Sequence, residues 1–88
     1  MSEKLVGTVT HFFKGPSVAI VSLTDGEVVV GDEVRFKGHT SNFTERITSM
    51  EVDHQKVERA TAGHEIAIQV VARVRQHDQV FKVVADDG

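Results

Sequence analysis

Histidines are the side chains of this sequence most able to bind a metal ion, and five of them stand at positions 11, 39, 54, 64 and 77. No two lie closer than ten positions, whereas zinc sites usually draw paired ligands from a short local spacing. The one Glu-x-x-His spacing joins Glu51 to His54, and an ideal strand would place these two side chains on opposite faces. The sequence therefore predicts no metal site.

The common catalytic nucleophiles also lack their usual surroundings. The chain has no cysteine, which excludes thiolate catalysis and disulfide bonds. Its internal serines, at positions 17, 22, 41 and 49, do not stand in a Gly-x-Ser-x-Gly context. Asp53 and His54 are neighbours in a predicted strand, so their side chains point to opposite faces and do not form an acid–base pair. We therefore expect a protein that is not an enzyme, with no catalytic residues and no cofactor.

Charge gives a weaker indication about partners. Ten Lys and Arg stand against thirteen Asp and Glu, which makes the formal net charge −3. Proteins that bind nucleic acids usually have a basic excess, because neutralising phosphates dominates their affinity. A local cluster near the C-terminal end, Arg73, Arg75 and Lys82, is the exception. It leaves two alternatives open: contact with nucleic acid, or solvated charges on strand faces.

The elements that must position these residues are β-strands. Sixteen Val, four Ile and seven Thr stand against two Leu, and β-branched side chains favour strands over helices. The composition therefore predicts an all-β fold. Eighty-eight residues predict one domain, with a core from about 5 to 84 and a polar tail at 85–88. The chain starts on a polar segment without an apolar signal sequence, so we expect it in the cytoplasm.

Alternation of apolar and polar residues predicts six or seven short strands. Gly7 stands inside the first one, where glycine often marks a bend or a close backbone approach. The second, from Ser17 to Leu23, is almost entirely apolar, which predicts burial on both faces. The pattern predicts one long strand from Phe43 to His54, with a bulge or bend, and a brief corner without strand structure over Val57–Ala60. The predicted strands span residues 5–14, 17–23, 28–30, 34–37, 43–54, 66–70 and 79–84.

Two glycine-bearing corners carry a resemblance to a known family. The first is Leu23–Val34, which contains Gly26 and Gly31, and the second is Val57–Ile66, which contains Gly63. In each, glycine just before a β-rich run marks a tight turn between strands. Together they resemble the second domain of translational GTPases such as elongation factor Tu. That resemblance implies a small closed antiparallel β-barrel of six strands, and a similar barrel lies at the C-terminus of collagenase-like peptidases.

The same resemblance implies partners and a candidate site. The sequence lacks the Gly-x-x-x-x-Gly-Lys-Ser/Thr loop that cradles phosphates, so it does not resemble the GTPase part of that family. In elongation factor Tu the second domain helps to hold the aminoacylated end of transfer RNA. Counting back from Ala62-Gly63, Glu51 matches a glutamate of that site, while His54 replaces its arginine. Glu51 and His54, with Arg73 and Arg75, are therefore the candidate nucleic-acid contacts.

These observations leave two functional readings. The first is a binding or adaptor module in translation or RNA modification, in contact with transfer RNA or ribosomal RNA or with an RNA-modifying enzyme. The alternative is a protein-interaction subunit that docks on an enzyme without touching RNA. A collagenase-like peptidase and an RNA-modifying enzyme are the two candidate protein partners. Salt separates the two, because phosphate contacts weaken steeply with ionic strength and an apolar docking surface does not.

Overall fold

The computed structural model describes residues 2–85, and these residues form an antiparallel all-β fold without a helix. The predicted fold class is therefore confirmed. Because the described part is made of strands, it contains no helix long and apolar enough to cross a membrane. Residues 86–88 of the predicted polar tail lie outside the described part of the chain.

Ten strands are present in residues 2–85, more than the six or seven that the pattern predicts. Their bounds are Ser2–Phe13 (β1), Val18–Leu23 (β2), Glu27–Val29 (β3), Glu33–Lys37 (β4), Asn42–Arg46 (β5), Met50–Val52 (β6), Gln55–Val57 (β7), Arg59–Thr61 (β8), Glu65–Gln69 (β9) and Gln79–Val84 (β10). The extra strands are three-residue segments, which are too short to show a period in the sequence.

The strands form two sheets, and the prediction of a closed six-stranded barrel is wrong. One sheet has eight strands in the order β5-β4-β10-β1-β2-β9-β6-β7, so that β5 and β7 are its edges. The other consists of β3 and β8 alone. Val28 of β3 and Ala60 of β8 nevertheless belong to the same buried cluster as the large sheet. The core is therefore covered in part by a second small sheet, and the described strands do not close into one ring of paired strands.

The long first strand holds the large sheet together, because β1 pairs with β10 on one side and with β2 on the other. Its register shifts between Leu5 and Gly7, where it bulges against β10. A Cβ atom at Gly7 would overlap the backbone carbonyl of Ser22 in β2. The close backbone approach, one of the two alternatives predicted at Gly7, is therefore present, next to the bulge in β1.

The predicted strand from Phe43 to His54 is wrong, because the chain leaves the sheet in the middle and then turns. After β5, Ile47 is buried, its N–H donates to the carbonyl of Asp32, and its own carbonyl accepts from Gly31. After β6, Asp53 and His54 have φ values of 52° and 65° and form the two-residue turn between β6 and β7. Asp and His are among the non-glycine residues that adopt positive φ most readily, and a two-residue hairpin turn of type I′ needs it at both positions.

The corner without strand structure predicted over Val57–Ala60 is also wrong. β7 extends to Val57, and β8 begins two residues later at Arg59 to pair with β3. The three corner glycines, Gly26, Gly31 and Gly63, have φ values of 66°, 102° and 98°. These are values that L side chains rarely adopt, which explains glycine at the three turns.

Candidate functional site

A row of paired residues crosses the outer face of the large sheet. His11 of β1 pairs with Ile20 of β2, Ile20 with Ala67 of β9, and Ala67 with Glu51 of β6. Side chains of directly paired residues lie on the same face of a sheet, so these four form one continuous line. The neighbouring row, from Phe12 through Ala19 and Ile68 to Met50, faces the core and is buried from Ala19 onwards.

The outer face of the large sheet carries several apolar side chains that are exposed or partly exposed. Phe13 pairs with Val18 one step further along, and 47% of Phe13 is exposed. Val18, Ile20 and Ala67 are each partly exposed, so the predicted burial of β2 on both faces is wrong on this side. We call Phe13, Val18, Ile20 and Ala67 the outer patch. A shallow cavity of about 420 Å³ runs along it and also reaches His54.

Glu51 and His54 lie at the border of the outer patch. Because the chain turns at Asp53-His54, the side chains of Glu51 and His54 line the same cavity. A continuous strand would place these two side chains on opposite faces. A second cavity, of about 380 Å³, adjoins them and is also lined by His64 and Glu65. This border combines carboxylates and imidazoles, a suitable polar rim for an apolar contact surface.

Arg73 and Arg75 lie elsewhere. They line a cavity of about 530 Å³ together with His11 and His77, between β1 and the segment before β10. Neither arginine lines a cavity with Glu51 or His54. The four candidate nucleic-acid contacts are therefore separated: Glu51 and His54 line the cavities of about 420 and 380 Å³, and Arg73 and Arg75 line the third.

One hydrogen bond connects the cavity of Arg73 and Arg75 with the cavity of about 380 Å³. Thr10 lines the first and donates through Oγ1 to Oε2 of Glu65, which lines the second, over 3.3 Å. His11 links the arginine cavity to the outer patch, because its ring centroid lies 5.2 Å from that of Phe13. Sequence reasoning missed the outer patch, although the uninterrupted apolar run of β2 was its signal.

Within residues 2–85, no three His, Asp or Glu side chains form a group that could hold a metal ion. The buried carboxylate of Asp78 has a structural contact, since Oδ2 accepts from the backbone N–H of Arg75 over 2.9 Å. The outer patch is the apolar feature among these surface features.

Parts of two proteases are similar to this chain in sequence. It is 31% identical over 78 residues to a collagenase of Porphyromonas gingivalis, which covers 88% of this chain and 22% of that protein. It is also 31% identical over 77 residues to an uncharacterized protease of Methanocaldococcus jannaschii, covering 86% of this chain and 19% of the relative. The chain thus spans about a fifth of the length of the curated relatives it matches. No protein-family model matches it.

Solved structures show the same fold. The C-terminal domain of a proposed U32 peptidase of Geobacillus thermoleovorans superposes with a TM-score of 0.84 at 20% identity, over 92% of this chain and 93% of that one. The selenomethionine variant of that domain gives a TM-score of 0.82, also at 20% identity, over 88% and 96%. The chain is therefore similar in sequence to a segment of these two proteins and has the fold of a U32 peptidase C-terminal domain. Of the two families that the sequence resembles, the peptidases are the one that these matches support.

Proposed function

We propose that this chain is a non-catalytic interaction module that docks on a collagenase-like peptidase through the outer patch. The observation that supports the proposal is the outer patch itself, because its four residues do not belong to the buried core cluster. The homology supports the choice of partner, because about four fifths of each matched relative lies outside the segment that this chain resembles.

The composition of the patch fits a protein partner. Its centre is aliphatic and aromatic, with Phe13 as the most exposed member, and its border is polar. Protein interfaces usually have this arrangement, in which a few large side chains near the centre account for most of the affinity. Phe13 and Ile20 are the residues we expect to act as anchors.

The reading as an adaptor that holds transfer RNA has less support. That reading needs Glu51 and His54 to act together with Arg73 and Arg75, and the two pairs line different cavities. A protein partner needs only the outer patch and its border. The alternative without RNA contact is therefore the function that this geometry favours.

Titration calorimetry would test the proposal, using a collagenase-like peptidase from which the segment matching this chain has been removed. We expect saturable one-to-one binding that changes little between low and high salt, since the contact is mainly apolar. Phe13→Ser should weaken the affinity by about tenfold or more, the usual effect of losing an interface anchor. The chain alone should release no peptides from a gelatin substrate.

Val71→Ser is the matched control. Val71 is 80% exposed and lines neither of the cavities that border the outer patch, so its loss should change the affinity by less than about twofold. Absence of binding by the parent chain would overturn the proposal. Equal losses in Phe13→Ser and Val71→Ser would show that the outer patch is not the docking surface.

A further inference from the structure

The permanent charges that line the cavity of Arg73 and Arg75 are all positive. His11 and His77 also line it, and no carboxylate does. The whole chain has a formal net charge of −3, so this cavity runs against the overall balance. A concave surface lined by one sign of charge concentrates the field and attracts ions of the opposite sign.

The two arginines differ from the other three in the described part of the chain. Arg35 contacts Glu3, Arg46 donates to the carbonyl of Gly31 over 2.7 Å, and Arg59 faces Glu27 at 3.5 Å. Within residues 2–85, the guanidinium groups of Arg73 and Arg75 make no ion pair or hydrogen bond. Their hydrogen-bond donors are therefore available to a ligand.

The backbone around the cavity is fixed by the core. Val74, between the two arginines, is 1% exposed, and Ser41 Oγ donates to the carbonyl of Arg73 over 3.4 Å. His77 has a φ of 79°, and its N–H donates to the carbonyl of Val9 over 2.8 Å. The segment is thus held against β1 before any ligand arrives, which lowers the entropy cost of binding.

Two carboxylates lie close by, and both have other contacts. Asp78 is 4% exposed and accepts from the backbone of Arg75, while Glu65 accepts from Thr10. Neither lines the cavity. The two guanidinium groups are therefore the permanent charges among the residues that line the cavity.

We propose that this cavity is a binding site for a phosphate group. Guanidinium groups hold phosphate oxygens through paired, charge-assisted hydrogen bonds, and imidazole N–H groups add further donors. The volume of about 530 Å³ exceeds that of one phosphate, so the cavity has room for the group. The phosphate can belong to a small phosphorylated molecule or to a nucleic-acid backbone, and the chemistry of the contact is the same.

Calorimetric titration of the full chain with pyrophosphate, and separately with a short single-stranded RNA, would test the site at one fixed ionic strength. We expect saturable binding of pyrophosphate. Arg73→Gln and Arg75→Gln should each weaken it by about tenfold, the usual effect of losing a hydrogen bond to a charged group. Arg59→Gln is the matched control, since Arg59 is an exposed arginine outside the cavity, and it should bind like the parent.

The two probes distinguish the sources of the phosphate. Binding of pyrophosphate alone would assign the site to a small phosphorylated ligand. Binding of RNA that pyrophosphate displaces would assign it to a nucleic-acid backbone. Binding of neither probe would overturn the proposal, and so would an equal loss in Arg59→Gln, because that loss would indicate diffuse attraction to positive charge. Melting temperatures of the variants should match the parent, since both side chains are exposed.

Discussion

Strands β2 and β9 form the same cross-strand pair twice, once on each face of the large sheet. On the inner face Ala19 pairs with Ile68, and the two are 0% and 4% exposed. On the outer face Ile20 pairs with Ala67, and both are partly exposed. The residue types are the same with the strands exchanged, and neighbouring antiparallel pairs alternate between hydrogen-bonded and non-hydrogen-bonded geometry. The difference in exposure follows from the face of the sheet on which each pair lies. This difference separates residues that hold the fold together from residues that the fold leaves available for a partner.

The largest effect we expect is on the inner face. Ile68→Ala removes side-chain volume next to Ala19 and leaves a cavity in the core, which should cost about 2–5 kcal/mol of unfolding free energy. In a domain of this size each kcal/mol lowers the melting temperature by roughly 4–8 °C. Urea unfolding followed by circular dichroism would measure the change. A loss below about 1 kcal/mol would contradict the assignment of this face to the core.

The next largest effect compares a glycine buried between two paired strands, Gly7, with a glycine at an exposed turn, Gly63. Gly7→Ala forces a Cβ against the backbone carbonyl of Ser22, so we expect a loss of about 3 kcal/mol, the upper end of the usual cost of overpacking. Gly63→Ala meets no atom within 4 Å, and its cost comes only from the positive φ of 98°, about 1–2 kcal/mol. Thermal melting of the two variants side by side would rank them. The opposite order would mean that β1 moves away from β2 more easily than the pairing suggests.

The sequence predicts the inner face better than the outer one. Val, Ile and Thr in alternation identify the strands, and glycine identifies the corners at Gly31 and Gly63, because each signal depends on local chemistry. The turn at Asp53-His54 has no glycine and no proline, so its residues look like part of a strand until the backbone shows positive φ at both. That one turn decides whether Glu51 and His54 share a surface.

Long-range arrangement was predicted least well. Closure into a barrel depends on which edge strands meet, and no local pattern in β5 or β7 specifies that. The separation of Arg73 and Arg75 from Glu51 has the same origin, because these residues are distant in the sequence and the arrangement of the strands decides which cavity each of them lines. The apolar run of β2 was visible in the sequence, and its interpretation as burial on both faces concealed the outer patch.

The smallest expected effect on stability is at Ile20, and it completes the comparison with Ile68. Ile20→Ala removes the same atoms as Ile68→Ala from a side chain that is already partly in water, so the hydrophobic loss is smaller and no closed cavity forms. We expect a cost below about 1.5 kcal/mol in urea unfolding, together with a clear loss of affinity for the peptidase partner. Ile68→Ala, at a temperature where it is still folded, should lose much less affinity than Ile20→Ala, because Ile68 is only 4% exposed and its side chain faces the core. If Ile20→Ala instead destabilises the chain as much as Ile68→Ala, the outer face is part of the structural core, and the apolar surface there gives no reason to expect a partner.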